Sequence, residues 1–182
     1  MSHELQLEPV AAPDAAEHGA GFAAAQECLT ERQYCIFRAG RQRYCLSVLE
    51  VEEVVEWPAI TPVPLAPKFL LGVFNLRGVI VPILDIACAE GRRPDLLPKH
   101  LVVASVRSEA DRDDLRVGLA ADEVIGTYST TEPLLVEEAP HNAPHCCAML
   151  RLVPSPDEGH SNRFALALDL RRLAEAFPIP VI

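Results

Sequence analysis

The chain reads as a mostly-β protein of the barrel or sandwich class, and three observations lead there. Short apolar runs recur along the 182 residues with turn residues between them. Helical spacing is confined to brief pieces and one closing segment. A weak internal repeat is also present. Arg43-Tyr-Cys-Leu-Ser-Val-Leu-Glu-Val51 resembles Arg116-Val-Gly-Leu-Ala-Ala-Asp-Glu-Val124, an offset of 73 (116 − 43). Ile83-Leu-Asp-Ile86 resembles Ala167-Leu-Asp-Leu170, an offset of 84 (169 − 85). Such self-similarity predicts two small β-barrels of like topology.

The elements follow in order. Residues 1–29 are rich in Ala, Glu, Asp and Pro without periodicity, which predicts a mobile tail with a little helix near 22–29. Residues 33–38 and 42–48 are strand-like and flank Ala39-Gly40-Arg41, a hairpin signal. Residues 49–56 carry apolar side chains at 51, 54 and 55 with glutamates between, which suggests a short helix. Pro58, Pro62, Pro64 and Pro67 then force an extended passage. One helical turn is expected at 68–71 and a strongly apolar strand at 79–87. Pro82 inside that strand argues for an edge or a bulge, because proline cannot donate to a ladder. Residues 91–98 form a polar loop. Residues 100–107 and 115–120 are strands joined by the charged loop 108–114. A turn or helical piece is expected at 122–126, and short strands at 134–136, 147–153 and 163–168, the last two separated by the loop 154–162. Asp169 can cap a closing helix over 169–177 with Leu170, Leu173 and Ala174 on one face, and Pro178 ends it.

Composition narrows the function classes. With 49% hydrophobic residues the chain can bury a real core, and with few aromatics that core must be mostly aliphatic. A net charge of −10 disfavours nucleic-acid binding, which needs a basic patch. Arg38, Arg41 and Arg43 cluster, but acidic segments flank them, so they read as a solvated hairpin rim. No run approaches the roughly 18 apolar residues of a membrane helix, so no direct membrane insertion is expected. The acidic start lacks the pattern of a secretory signal. A cytoplasmic location is therefore expected, with the six cysteines reduced and Cys35, Cys45 and Cys88 serving as small core residues.

Sequence patterns for catalysis or cofactors do not hold up. Gly19-Ala-Gly21-Phe-Ala-Ala24 formally fits a dinucleotide fingerprint, but it follows tail sequence rather than a strand. There is no phosphate-binding loop and no nucleophile elbow. His141, His145, Cys146 and Cys147 are metal-capable, yet they crowd into one loop instead of forming separated ligand pairs. They support a competing thiol- or metal-dependent reading. The preferred reading has no catalytic residue, no metal and no cofactor.

The most informative stretch is Gly72-Val-Phe-Asn-Leu-Arg-Gly-Val-Ile-Val-Pro-Ile-Leu-Asp-Ile86. It is almost wholly apolar, yet carries Asn75, Arg77 and Asp85. An arginine there must pair or reach the surface, because an unpaired buried charge is costly. Asn75 and Gly78 bracket it as a bend. Glu52, Glu53 and Glu56 read as an exposed helix face, with one sharper alternative: Glu53 pairs with Arg77 if the two segments pack together.

These residues carry a resemblance. From Gln33 to about Phe177 the chain resembles the CheW-like domain of bacterial chemotaxis coupling proteins. The strand pair 34–48, the segment 51–55, the proline passage 60–67 and the 69–86 signature occur in order; Val117–Gly126 and Phe164–Leu170 match more loosely. The resemblance implies two five-stranded SH3-like barrels with a few short helices and a C-terminal helix. It places subdomain one at roughly 30–90 plus the C-terminal segment, and subdomain two at roughly 98–153. It implies a non-enzymatic adaptor whose partners are the regulatory domain of a CheA-type histidine kinase and the cytoplasmic hairpin tip of chemoreceptors, recruited to receptor arrays at the inner face of the membrane. By motif position, Glu53 and Arg77 correspond to the family's paired acid and arginine. Val51, Glu53, Asn75, Arg77 and Val79 border the partner surface, while Gly72, Gly78, Pro82 and Asp85 shape the motif. The long tail and the charged loops also fit a coupling protein of a non-flagellar pathway, for example twitching motility.

Overall fold

The computed structural model describes residues 31–88, 97–106, 115–136, 143–153 and 163–177. Ten strands and one helix follow in order: β1 Arg32–Ala39, β2 Gln42–Ser47, β3 Val51–Glu56, β4 Leu70–Leu76, β5 Val79–Leu84, β6 His100–Val106, β7 Leu115–Ala121, β8 Glu123–Thr130, β9 Cys146–Arg151, β10 Phe164–Leu168 and α1 Leu170–Ala176. They form two five-stranded sheets, β8-β1-β2-β10-β9 and β3-β6-β7-β5-β4. Each sheet is antiparallel except for one parallel step, β2 with β10 and β5 with β7. The expected split at 30–90 and 98–153 is therefore corrected at the level of sheet membership. β3 to β5 pair with β6 and β7, and the chain returns to the first sheet only at β8. Sequence adjacency does not decide which sheet a strand completes; tertiary pairing does.

The repeat is one of register as well as of residues. The parallel pair Ala167–Cys45 in the first sheet is matched by Ile83–Gly118 in the second, with offsets of 84 (167 − 83) and 73 (118 − 45). The bulges coincide too. Glu52 is the extra residue of β3 opposite β6, and Ile125 is that of β8 opposite β1, again 73 apart (125 − 52). Leu71 and Cys147 are the extra residues of β4 and β9. Isolated bridges repeat as well: Thr61 pairs with Val73, and Leu135 with Met149. Each bridge ties the segment after one edge strand to the opposite edge strand, so each sheet curls toward a barrel with one such bridge at its seam among the described residues.

Several local expectations are corrected. Residues 49–56 form β3 rather than a helix. Val51, Glu53 and Val55 are half-buried while Glu52, Val54 and Glu56 are exposed, a period of two. The three valines also favour strand over helix. Residues 68–69 make a turn, but β4 begins at Leu70, so no helical turn spans 68–71. At 122–126 there is only a bend at Asp122 before β8. Of 134–136, Leu135 alone makes an isolated bridge. Pro82 lies in an inner strand and not at an edge, and the nearby bulge falls on β4. The ladder tolerates it for a reason. Val73 directs both its N–H and its C=O to Thr61, away from β5, so the facing pair Val73–Pro82 exchanges no hydrogen bonds. Toward β4 Pro82 therefore forgoes no hydrogen bond, and on its other side the pairing of β5 with β7 begins only at Ile83.

Other expectations hold. Ala39 pairs with Gln42 around Gly40, whose φ is 63°. Asp169 caps α1 by accepting the N–H groups of Arg171 and Arg172 at 2.9 and 3.1 Å. Leu170 and Leu173 are buried, while Ala174 is only half-buried. The tail and the loops read at 91–98, 108–114 and 154–162 lie wholly or mostly outside the described residues.

The core has three parts. Tyr34, Ile36 and Leu150 fill the inside of the first sheet. Phe74, Ile83, Leu101 and Val103 fill the second. A larger cluster between the sheets includes Phe37, Tyr44, Leu46, Ile86, Leu119 and Leu173. Cys35 and Cys45 are buried core residues, Cys88 is half-buried against the central cluster, and all described cysteines are free thiols.

Candidate functional site

The site is built around the β4–β5 turn. Arg77 and Gly78 form a two-residue connection between the paired Leu76 and Val79. Their φ angles are 51° and 91°, both positive, as a hairpin turn matched to strand twist requires. Glycine adopts this freely, whereas arginine does so at a cost. Asn75 offsets that cost: its Oδ1 accepts the Gly78 N–H at 2.6 Å. Arg77 is thereby set at the tip with its side chain 82% exposed.

β3 supplies the partner. Arg77 Nη2 donates to Glu53 Oε2 at 2.7 Å. β3 and β4 are opposite ends of the second sheet, so this pair spans the seam that the Thr61–Val73 bridge also crosses. Gly72 makes the bridge possible. Its φ is 150°, and a Cβ there would stand 2.5 Å from the Thr61 carbonyl oxygen. Gly78, by contrast, has open space and is needed for conformation alone.

The remaining expected residues divide between surface and scaffold. Val79 is exposed and Asn75 lies at the surface beside it. Val51 is half-buried and packs on the central cluster. Asp85 is buried and accepts the Ala87 N–H at 3.1 Å, shaping the turn after β5 as Asp169 does before α1. Of the three glutamates read as a solvated face, only Glu56 remains unassigned to a partner. Glu52 accepts two N–H groups of Arg116, at 3.0 and 2.8 Å, and Glu53 holds Arg77. The reason is that β3 is a strand with a bulge, which turns consecutive glutamates toward different neighbours.

Sequence reasoning missed one polar knot. Arg38 is no solvated rim residue. It reaches Asp122 and Glu123 at 3.3 Å each and donates to the Gly40 carbonyl at 3.1 Å. The buried Asp122 also accepts the Gly40 N–H at 2.7 Å. The acid pair Asp122-Glu123 directly after the mostly apolar β7 was the available signal. Arg41 is exposed, as expected, and Arg43 is half-buried.

The competing constellation does not assemble among the described residues. His145 is buried between the rings of Tyr44 and Phe177, with centroids at 6.1 and 5.4 Å. Its Nε2 meets no partner, and burial holds its pKa below the ordinary histidine value. Cys146 is buried, and Cys147 donates its thiol proton to the Ala167 carbonyl at 3.5 Å. Among the described residues no three His, Cys, Asp or Glu side chains are placed to hold a metal ion, and His141 lies outside them.

A family model of the CheW-like domain matches residues 33–177, nearly the whole of the strand framework just described. The chain belongs to the CheW-like family. A probable chemotaxis protein CheW of Rhizobium etli is 35% identical over 107 residues, covering 58% of this chain and 65% of that protein, just under two thirds of its length. Protein PilI of Pseudomonas aeruginosa is 31% identical over 121 residues, covering 66% of each chain. Among solved structures, the scaffolding protein TtCheW of Thermoanaerobacter tengcongensis superposes with a TM-score of 0.60 over 77% of this chain and 90% of that one, at 19% identity, a likeness of fold. The SH3-like pairing of two five-stranded sheets is thus the observed architecture, with each sheet left open apart from its bridge. No helix among the described residues is long and apolar enough to cross a membrane.

Proposed function

We propose that this CheW-like chain is a non-enzymatic adaptor that couples chemoreceptors to a CheA-type histidine kinase, using the face formed by β3 and the β4–β5 turn. The observation that carries the reading is the Glu53–Arg77 pair at 2.7 Å across the seam of the second sheet. An ion pair with one side chain so exposed contributes on the order of 0–1 kcal/mol to stability. Its geometry is better explained by shape, because it fixes a strained turn against the neighbouring edge strand. Val51 then supports the face from below, and Asn75, Arg77 and Val79 present it. The kinase regulatory domain and the receptor hairpin tip are the partners, and recruitment to receptor arrays at the inner face of the membrane follows.

The test is binding of purified chain to its cognate kinase and to a receptor fragment, followed by calorimetry. Arg77→Ala and Glu53→Ala should each leave the melting temperature within a few degrees and weaken binding about tenfold, near 1.4 kcal/mol. Wild-type affinity for both partners in both variants would remove this face from the account. The likeness to Protein PilI, which covers a larger share of this chain than the Rhizobium match, favours a second reading. In it the same adaptor serves a non-flagellar pathway such as twitching motility, and the kinase recovered from the native cell distinguishes the two.

A further inference from the structure

The repeat allows the insides of the two curled sheets to be compared position by position. Ala165 and Ala167 on β10 stand where β5 has Val81 and Ile83, 84 residues earlier. Cys147 at the β9 bulge stands where β4 has Leu71. Thr130 stands where the second sheet has Trp57, 73 residues earlier (130 − 57). In the second sheet Val81, Ile83, Leu71 and Trp57 all belong to or pack against the inner cluster. Among the inward residues of β9 and β10 only Ala148 is larger than its counterpart, Gly72; on the other strands Tyr34, Ile36, Cys45 and Tyr128 are larger than Leu101, Val103, Gly118 and Val55. The first sheet is thus short of aliphatic volume along β9 and β10, although interiors normally pack to crystal density.

One of these smaller residues, Cys147, lines a groove at the surface. This groove of about 440 Å³ is lined, among the described residues, by the apolar Tyr34, Cys45, Leu134 and Cys147 and by the charged Glu50, Asp169 and Arg171. Its size falls within the range of side-chain and small-ligand sites. Among the described lining residues two carboxylates face one guanidinium. Asp169 Oδ1 is already committed to the N-terminus of α1, and its Oδ2 lies 3.8 Å from Arg172. Glu50 is half-buried; burial first, and then the charge of Asp169, raise its carboxyl, with a backbone hydrogen bond at Ser47 working the other way. A cation seated beside Glu50 relieves that repulsion.

We propose that this groove docks a short segment of a partner protein, which seats one apolar side chain inside the first sheet and lays an adjacent lysine or arginine against Glu50. The site is separate from the Glu53–Arg77 face and does not depend on it. An apolar anchor with a neighbouring charge is how protein interfaces concentrate affinity and choose partners.

The probes are acetyl-Leu-Lys-amide and acetyl-Leu-Glu-amide, titrated into the full isotope-labelled chain while backbone amide shifts are followed. The lysine probe should give saturable shifts at Tyr34, Ser47 and Cys147 with a dissociation constant on the order of 1 mM. The glutamate probe should bind about tenfold more weakly. Cys147→Leu, which installs the residue type of the second sheet, should abolish binding of both probes. Glu50→Gln should level the preference between them. Equal affinity for the two probes in the wild-type chain, no saturable shifts at these positions, or undiminished binding by both variants would overturn the proposal. So would binding of phenethylammonium alone without the dipeptide, since that describes a small-molecule site. If Cys147→Leu does not fold, the Glu50→Gln comparison decides by itself.

Discussion

Replacing Gly72 with alanine should damage this fold more than the same change at Gly78, six residues on. At Gly72 the new Cβ would lie 2.5 Å from the Thr61 oxygen, 3.1 Å from its carbonyl carbon and 3.3 Å from Pro62 Cα. These are backbone atoms, which no rotamer change can move aside. Relief requires Thr61 to leave β4, which breaks its two 2.8 Å hydrogen bonds with Val73. Each such bond contributes about 0.5–1.5 kcal/mol net, and the positive φ adds strain of the same order, so the loss should be roughly 2–5 kcal/mol. That is a large part of a typical domain's 5–15 kcal/mol. At Gly78 nothing lies within reach of a Cβ, and only the left-handed conformation is penalised, by about 1–2 kcal/mol. Urea melts of both variants measure the difference, and a chain of this size should show a Tm fall of at least about 4 °C for Gly72→Ala. Hydrogen exchange should locate it, with the Thr61 and Val73 amides losing protection first. If Gly72→Ala costs no more than Gly78→Ala, the bridge does not hold the seam and the packing argument fails.

Two further outcomes follow from buried polar groups. His145 is kept neutral by burial, so its folded pKa lies below 6.5 while the unfolded chain titrates near the ordinary value. The stability it secures is complete above about pH 6.5 and is lost as pH falls below that value toward the folded pKa, by up to 1.36 kcal/mol per pH unit; urea melts should show that slope, and His145→Leu should flatten it. Asp122→Ala strands the Gly40 N–H and takes one of three partners from the Arg38 guanidinium, which should cost about 1–3 kcal/mol, while Asp122→Asn, which retains an acceptor, should cost less. Faster exchange of the Gly40 amide in the alanine variant checks the placement.

Legibility varied with the range of the forces involved. The β1–β2 hairpin, the Asn75–Gly78 bend and the Asp169 cap were readable because each depends on side chains within a few residues. The 51–56 segment was misread as helix because three valines and three glutamates over six residues fit both periods, and only pairing with β6 selects the strand. Pro82 was misread as an edge marker because its neutrality toward β4 depends on Val73 facing Thr61, twelve residues before Val73 (73 − 61) and outside the β4–β5 ladder. The Glu52–Arg116 and Arg38–Asp122 pairs join residues 64 and 84 apart, and charge patterning along one segment contains no such information.

By itself the sequence determined the class of the fold, its internal repeat, the turn that carries Arg77 and the family to which the chain belongs. Those follow from alternation, turn chemistry and a motif whose residues act locally. Only the tertiary structure decided which strands share a sheet, that the expected Glu53–Arg77 pair closes at 2.7 Å across the seam, and that Cys147 and Glu50 line one groove. Each of these is a consequence of chain closure between distant segments, where packing volume and backbone approach choose among pairings that the sequence leaves equally open.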